Sequence, residues 1–206
     1  MSKIQKYIFS SLFLFPLFGQ ISDHSEKIAI KRKTFGLNLF GEIDYRTNKT
    51  GLFYRHHDFG ITFPVSKTWS VAIQYRNIFT QKDGGWVLEK RPHAQIQKTI
   101  NTQPVKWSIK SRQEYRIRDG RNDAMRNRFR IKGKSNKSFF YANPHFGNEF
   151  FYDMEKKSYN KNRFTFGFDF PKGKLGIPTI YYKYDISLSD DKWVSSFSGL
   201  TFQLTL

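Results

Sequence analysis

From about residue 36 onward the chain alternates apolar and polar residues with a period of two, and turn residues recur every ten to eighteen positions. Leu37, Leu39, Ile43 and Tyr45 alternate with Asn38, Phe40, Glu42 and Asp44. Trp69, Val71, Ile73 and Tyr75 alternate with Ser70, Ala72, Gln74 and Arg76. Val105, Trp107, Ile109, Tyr115 and Ile117 share one phase, and Lys106, Lys110, Arg112, Glu114, Arg116 and Arg118 the other. Phe164, Phe166, Phe168 and Phe170 repeat the pattern near the end, and Leu200, Phe202, Leu204 and Leu206 close it. No stretch of useful length has a helical period.

Breakers divide these runs at residues 48–51, 64–67, 82–85, 101–104, 119–122, 133–136, 155–160, 172–174 and 189–191. They predict ten strands, near 36–46, 51–64, 68–80, 84–99, 105–118, 123–134, 137–154, 161–171, 175–188 and 193–206. The seventh run is long and holds Pro144, which cannot donate to a ladder. Two strands there, plus an N-terminal strand within 26–33, would make twelve. The second run has its own conflict: Phe59, Ile61 and Phe63 share a phase with Arg55 and His57, which requires a bulge or an outward charge.

A charge facing lipid at mid-depth costs about 2–4 kcal/mol. If the alternating sheet lies in a membrane, the aromatic phase therefore faces out and the arginine phase lines a lumen. A soluble sandwich would bury the same apolar phase, and alternation alone does not separate the two. The N-terminus does. Lys3 and Lys6 precede an uncharged apolar stretch at 7–19, which has the form of a secretory signal peptide and is too short for a membrane-spanning helix. Cleavage after Gly19 is expected, with Ser22 as the alternative, followed by a lead-in over 20–35 and a barrel domain over 36–206.

Composition sharpens this. Phe (22) and Tyr (11) are abundant in a chain with net charge +18, which argues against disorder. The absence of cysteine removes disulfides and thiolate metal sites. The basic excess would fit nucleic acid, but export excludes it, leaving anionic lipid and solutes.

The segments R-Q-E-Y-R at 112–116, R-N-R-F-R at 126–130, N-E-F-F at 148–151 and N-R-F-T-F-G at 162–167 resemble the bacterial outer-membrane barrels grouped as domain of unknown function 2490. The likeness runs from about 37 to 206. It implies an integral outer-membrane β-barrel of unassigned function and carries over no catalytic residues. The last strand is similar to the signal read by the barrel-assembly machinery, through Leu200, Phe202, Leu204 and Leu206. That signal usually ends in an aromatic residue, where this chain has Leu206.

An even barrel keeps both termini in the periplasm, so its odd strands run outward. The outer half of the lumen then holds Arg76, Glu89, Arg91, Arg112, Glu114, Arg116, Arg118, Arg126, Arg128, Glu149 and Arg163. Two readings stand: an ion-pair network filling a narrow barrel, or a basic constriction passing small anions. Arginines outnumber these carboxylates by more than two to one, so unpaired cations should face water, phosphate or a ligand.

No enzyme motif appears. His56, His57 and Asp58 lie mid-strand, where neighbours point to opposite faces. Asp190 and Asp191 form a paired-carboxylate turn, with a solvated turn as the simpler reading. The expectation is a non-enzymatic structural or narrow-channel barrel without metal or cofactor; the alternative is a lipid-modifying or proteolytic barrel. Trp69, Trp86, Trp107 and Trp193 should sit in interfacial girdles, and Lys82, Lys156 and Lys157 could meet lipopolysaccharide phosphates at the outer rim.

Overall fold

A computed structural model describes residues 23–189 and 192–206. The leader at 1–19, both cleavage sites and the Asp190–Asp191 pair lie outside the described residues. The rest is one closed barrel of eleven strands: β1 (Asp23–Thr34), β2 (Leu37–Asn48), β3 (Gly51–Pro64), β4 (Trp69–Lys82), β5 (Gly85–Asn101), β6 (Val105–Arg118), β7 (Ala124–Ser135), β8 (Asn143–Asp153), β9 (Ser158–Asp169), β10 (Ile177–Ser189) and β11 (Lys192–Thr205).

The ten expected strands are β2 to β11, and the count is corrected to eleven by β1, which forms within the lead-in. β1 escapes the turn pattern because Phe35–Gly36 joins it to β2, and Phe is not a turn residue. Both residues are left-handed, with φ of 46° and 77°. Asp83–Gly84, with φ of 45° and 81°, makes the equivalent two-residue turn with the expected chemistry. The seventh run does not split into two strands: residues 136–142 form a turn, and Pro144 is the second residue of β8.

Successive strands joined by hairpins are antiparallel. With an odd number, the first and last must run the same way, so β1 closes on β11 in parallel register from Asp23↔Gly199 to Ala29↔Thr205. Residue 206 continues the seam, its N–H donating to the Ala29 carbonyl at 2.8 Å and its carbonyl accepting from Lys31 N–H at 3.2 Å. This overturns the even-barrel expectation about the termini: β1 runs toward the rim at which β11 ends. We call that end the C-terminal rim.

Burial alternates along the strands, and the aromatic phase faces out. Phe59, Ile73, Phe146, Phe164 and Phe202 are exposed on the outer wall, and Phe202 shares its face with Leu200, Leu204 and Leu206. In β3 no bulge separates Arg55 from Phe59; the charge does face outward. Its guanidinium lies 4.9 Å from the Phe79 ring centre and 4.8 Å from that of Trp86, near the opposite rim. Outward polar groups also satisfy one another: Asn148 Nδ2 donates to Asn162 Oδ1 at 2.9 Å, and Asn127 Nδ2 to Ser111 Oγ at 3.2 Å. Trp69 and Trp107 flank the C-terminal rim, while Trp86 and Trp193 flank the other.

The parallel seam is directly testable in a chain with no native cysteine. Adjacent strands lie about 4.7–4.9 Å apart, within disulfide reach. Ala29→Cys with Thr205→Cys is expected to crosslink on oxidation, seen as a mobility change reversed by reductant. No crosslink in the folded barrel would contradict this register.

Candidate functional site

The polar phase of every strand converges on the barrel interior, where buried charges must be paired. At the centre, Glu114 is fully buried. It accepts from Arg126 Nη2 at 2.5 Å and Arg128 Nη1 at 2.6 Å, while Arg91 and Arg112 each reach it at 3.6 Å. Arg128 also bridges to Glu149 at 2.9 Å. Glu89 takes Arg116 at 2.8 Å and a hydrogen bond from Arg91. These contacts bring together nine of the eleven residues expected from sequence: Glu89, Arg91, Arg112, Glu114, Arg116, Arg126, Arg128 and Glu149, with Arg163 reaching Glu149 at 3.5 Å.

Two of the eleven are held differently. Arg76 is clamped by Asp58, at 2.9 Å from Nε and 2.5 Å from Nη2. Arg118 ends at the rim, where its guanidinium donates to the Asn122 carbonyl of the β6–β7 turn. It lines neither lumen cavity.

Interior carboxylates missed in the sequence include Glu42, Asp44, Asp58 and Asp185. Arg163 donates to Asp185 at 2.6 and 2.7 Å, and Arg46 to Asp44 at 3.2 and 2.9 Å. Lys27 approaches Glu42 at 3.4 Å, and Lys161 meets Asp185 at 2.8 Å. Eight inward arginines (46, 76, 91, 112, 116, 126, 128 and 163) therefore share seven carboxylates (42, 44, 58, 89, 114, 149 and 185). The expected two-to-one arginine surplus is corrected: the missing acids lie on the same strand, as Asp44 does with Arg46, or directly across a hairpin, as Asp58 does from Arg76 and Asp185 from Arg163. Their phase was readable, since Glu42 and Asp44 alternate with Ile43 and Tyr45.

Phe151 was not anticipated either. It is an aromatic residue in the polar phase and only 2% exposed. Its ring centre lies 4.7 Å from the Arg128 guanidinium, 5.0 Å from that of Arg126, 5.4 Å from that of Arg163 and 5.7 Å from Lys161 Nζ. The ring face attracts cations, which lets four of them crowd together. His56 and Asp58 face the lumen and His57 the outside, so the histidines do not converge.

The network lies between two cavities. One of about 700 Å³ opens through the C-terminal half, and one of about 220 Å³ lies toward the opposite rim. Arg46, Arg76, Arg128 and Arg163 line both. The larger cavity is also lined by Lys31, Lys33, Lys110, Arg130 and Lys132, none of which makes an ion pair among the described residues. The cationic surplus is real, but it sits in lysines and Arg130 on the C-terminal side.

The family model described as "Protein of unknown function (DUF2490)" matches residues 26–189, and the chain belongs to this family. Among solved structures, a NanC porin is similar with a TM-score of 0.51 at 9% identity, over 88% of this chain and 94% of that one. An anion-selective porin from Comamonas acidovorans aligns with a TM-score of 0.43 at 12% identity, over 85% of this chain and 53% of that one. No curated protein matches. The likeness to the first establishes a porin-like barrel fold.

Glu114 is the keystone of the network. Removing one partner of a buried ion pair costs about 3–5 kcal/mol, so Glu114→Gln should lower the urea midpoint of the refolded barrel markedly. Glu26→Gln, on the exposed outer wall, should change it little.

Proposed function

We propose that this chain is an integral outer-membrane protein whose lumen is a narrow, anion-preferring channel, acting without covalent chemistry. The observation that carries the reading is the large cavity in which Lys31, Lys33, Lys110, Arg130 and Lys132 make no ion pair among the described residues, ending at Arg46, Arg76, Arg128 and Arg163. Fixed cations around a water-filled path favour anions and repel cations. Each of the four arginines is held by a carboxylate on its own or a neighbouring strand, so the ring is stiff. An aromatic outer wall with tryptophans at both rims supports membrane residence. Leu200, Phe202, Leu204 and Leu206, together on the outer face of the last strand, are suited to recognition by the assembly machinery. The lysines of the β4–β5 and β8–β9 turns, Lys82, Lys156 and Lys157, are suited to lipopolysaccharide phosphates.

The second reading, a structural barrel filled by its own ion pairs, is favoured by one observation: eight arginines sharing seven carboxylates stand between the two cavities.

Single-channel recording in planar bilayers separates the two. Discrete steps are expected, with reversal potentials in a salt gradient that favour chloride. Arg46→Gln with Arg128→Gln should move those potentials toward zero. A silent bilayer with insertion verified would overturn conduction and leave the filled barrel.

A further inference from the structure

The inner face of β6 and β7 carries a run of like charges that the ion-pair network does not complete. The register sets Lys106 opposite Lys134, Ser108 opposite Lys132, Lys110 opposite Arg130 and Arg112 opposite Arg128. Directly opposed side chains stand about 4.5–5.5 Å apart at Cβ, where like charges repel. One step further along, the same two strands set Glu114 opposite Arg126, acid against base.

Lys134, Arg112 and Arg128 are compensated. Lys134 meets Asp169 at 2.7 Å. Arg112 donates to the Gln95 amide oxygen at 3.0 and 2.8 Å, and Arg128 holds Glu114 and Glu149. The middle is not compensated. Glu149 stands in register with Arg130 on β8, but its carboxylate turns to Arg128 and Arg163. Among the described residues Lys110, Arg130 and Lys132 make no ion pair, and Arg130 Nε is buried without a hydrogen-bond partner. All three line the 700 Å³ cavity, together with Gln97, the cross-strand neighbour of Lys110 on β5.

We propose that Lys110, Arg130 and Lys132 form a binding site for a doubly charged oxyanion: inorganic phosphate, or the terminal phosphate of a small monoester. A single charge would leave one of the two opposed cations uncompensated in an enclosed site. A tetrahedral dianion offers oxygens to the guanidinium fork of Arg130, to the Lys110 ammonium and to Lys132 at once. The Gln97 amide can donate a further hydrogen bond. The barrel wall encloses the site, so the ligand arrives as a free solute. This identifies the solute class within the anion-facing lumen proposed above and rests partly on that reading, but binding does not require conduction.

The test is calorimetric titration of the full chain, refolded in detergent micelles, with inorganic phosphate at constant ionic strength. Saturable binding at a single site is expected, displaced by sulfate but not by an equal concentration of chloride. Lys110→Gln or Arg130→Gln should each weaken it about tenfold, the scale of one lost charge-assisted hydrogen bond. Lys98→Gln, an outward cation stacked near Trp69, should not. Dimethyl phosphate, with the one charge of a lipid phosphodiester, should bind far more weakly; equal binding would overturn the dianion assignment. Phosphate uptake that does not saturate, or that survives Lys110→Gln with Arg130→Gln, would overturn the site. Because Lys110→Gln removes a repulsion, it should also raise the urea midpoint in phosphate-free buffer, and a lowered midpoint would count against the ladder. The readout uses no current: a silent bilayer leaves it standing, and a conducting barrel without phosphate binding loses only the site.

Discussion

The edge strands of a sheet each carry a row of N–H and C=O groups, and all of these must find partners. A sheet meets that demand only when its first strand returns to its last. Here the return is made by β1 along β11, and the terminal residue is bonded twice into β1. Once the sheet is closed, the two-residue period of a strand has a single outcome: one phase outside and one phase inside. The aromatic outer wall, the outward amide pairs and the concentration of charge in the lumen all follow from that closure.

Closure also decides how the interior charges are compensated. Inward residues of adjacent strands meet by register, and long side chains reach further around the wall. Toward the rim opposite the C-terminus these rules bring acid to base. Glu114 gathers arginines from β5, β6 and β7, and Asp185 on β10 holds Arg163 of β9. Toward the C-terminal rim, the same rules oppose Lys110 to Arg130, while the nearest carboxylate, Glu149, is held by Arg128 and Arg163. The lumen is thus a compensated stretch followed by an uncompensated one. Ion pairs fill the first, and the second keeps cations that make no ion pair among the described residues.

Phe151 shows how a residue out of pattern supports the pattern. An aromatic side chain in the polar phase looks like an error of alternation. In the lumen its ring face accepts cations from β7 and β9, and so permits a density of positive charge that carboxylates alone do not offset. Arg55 is the mirror case on the outer wall, a charge in the apolar phase kept near the rim and laid on Phe79 and Trp86.

The alternation, the turns at Asp83–Gly84 and its counterparts, and the inward phase of Arg112, Glu114, Arg126, Arg128 and Arg163 could all be read from the chain, because strand period and turn chemistry are local. By themselves they determined ten of the eleven strands and the face of most charges, with Arg55 in the second run left open. They offered a strand at β1 only within the twelve-strand alternative, because its turn is made by Phe35, and they did not reveal the parallel seam, which depends on the parity of the whole strand count. Nor did they show which arginines would be neutralised. Asp58 lies 18 residues before Arg76, and Asp185 lies 22 after Arg163; those pairs are set by hairpin register, which places each acid directly opposite its arginine. Tertiary structure alone moved the free charge from the arginines to Lys110, Arg130 and Lys132, since pairing is a property of the assembled lumen and not of any one strand.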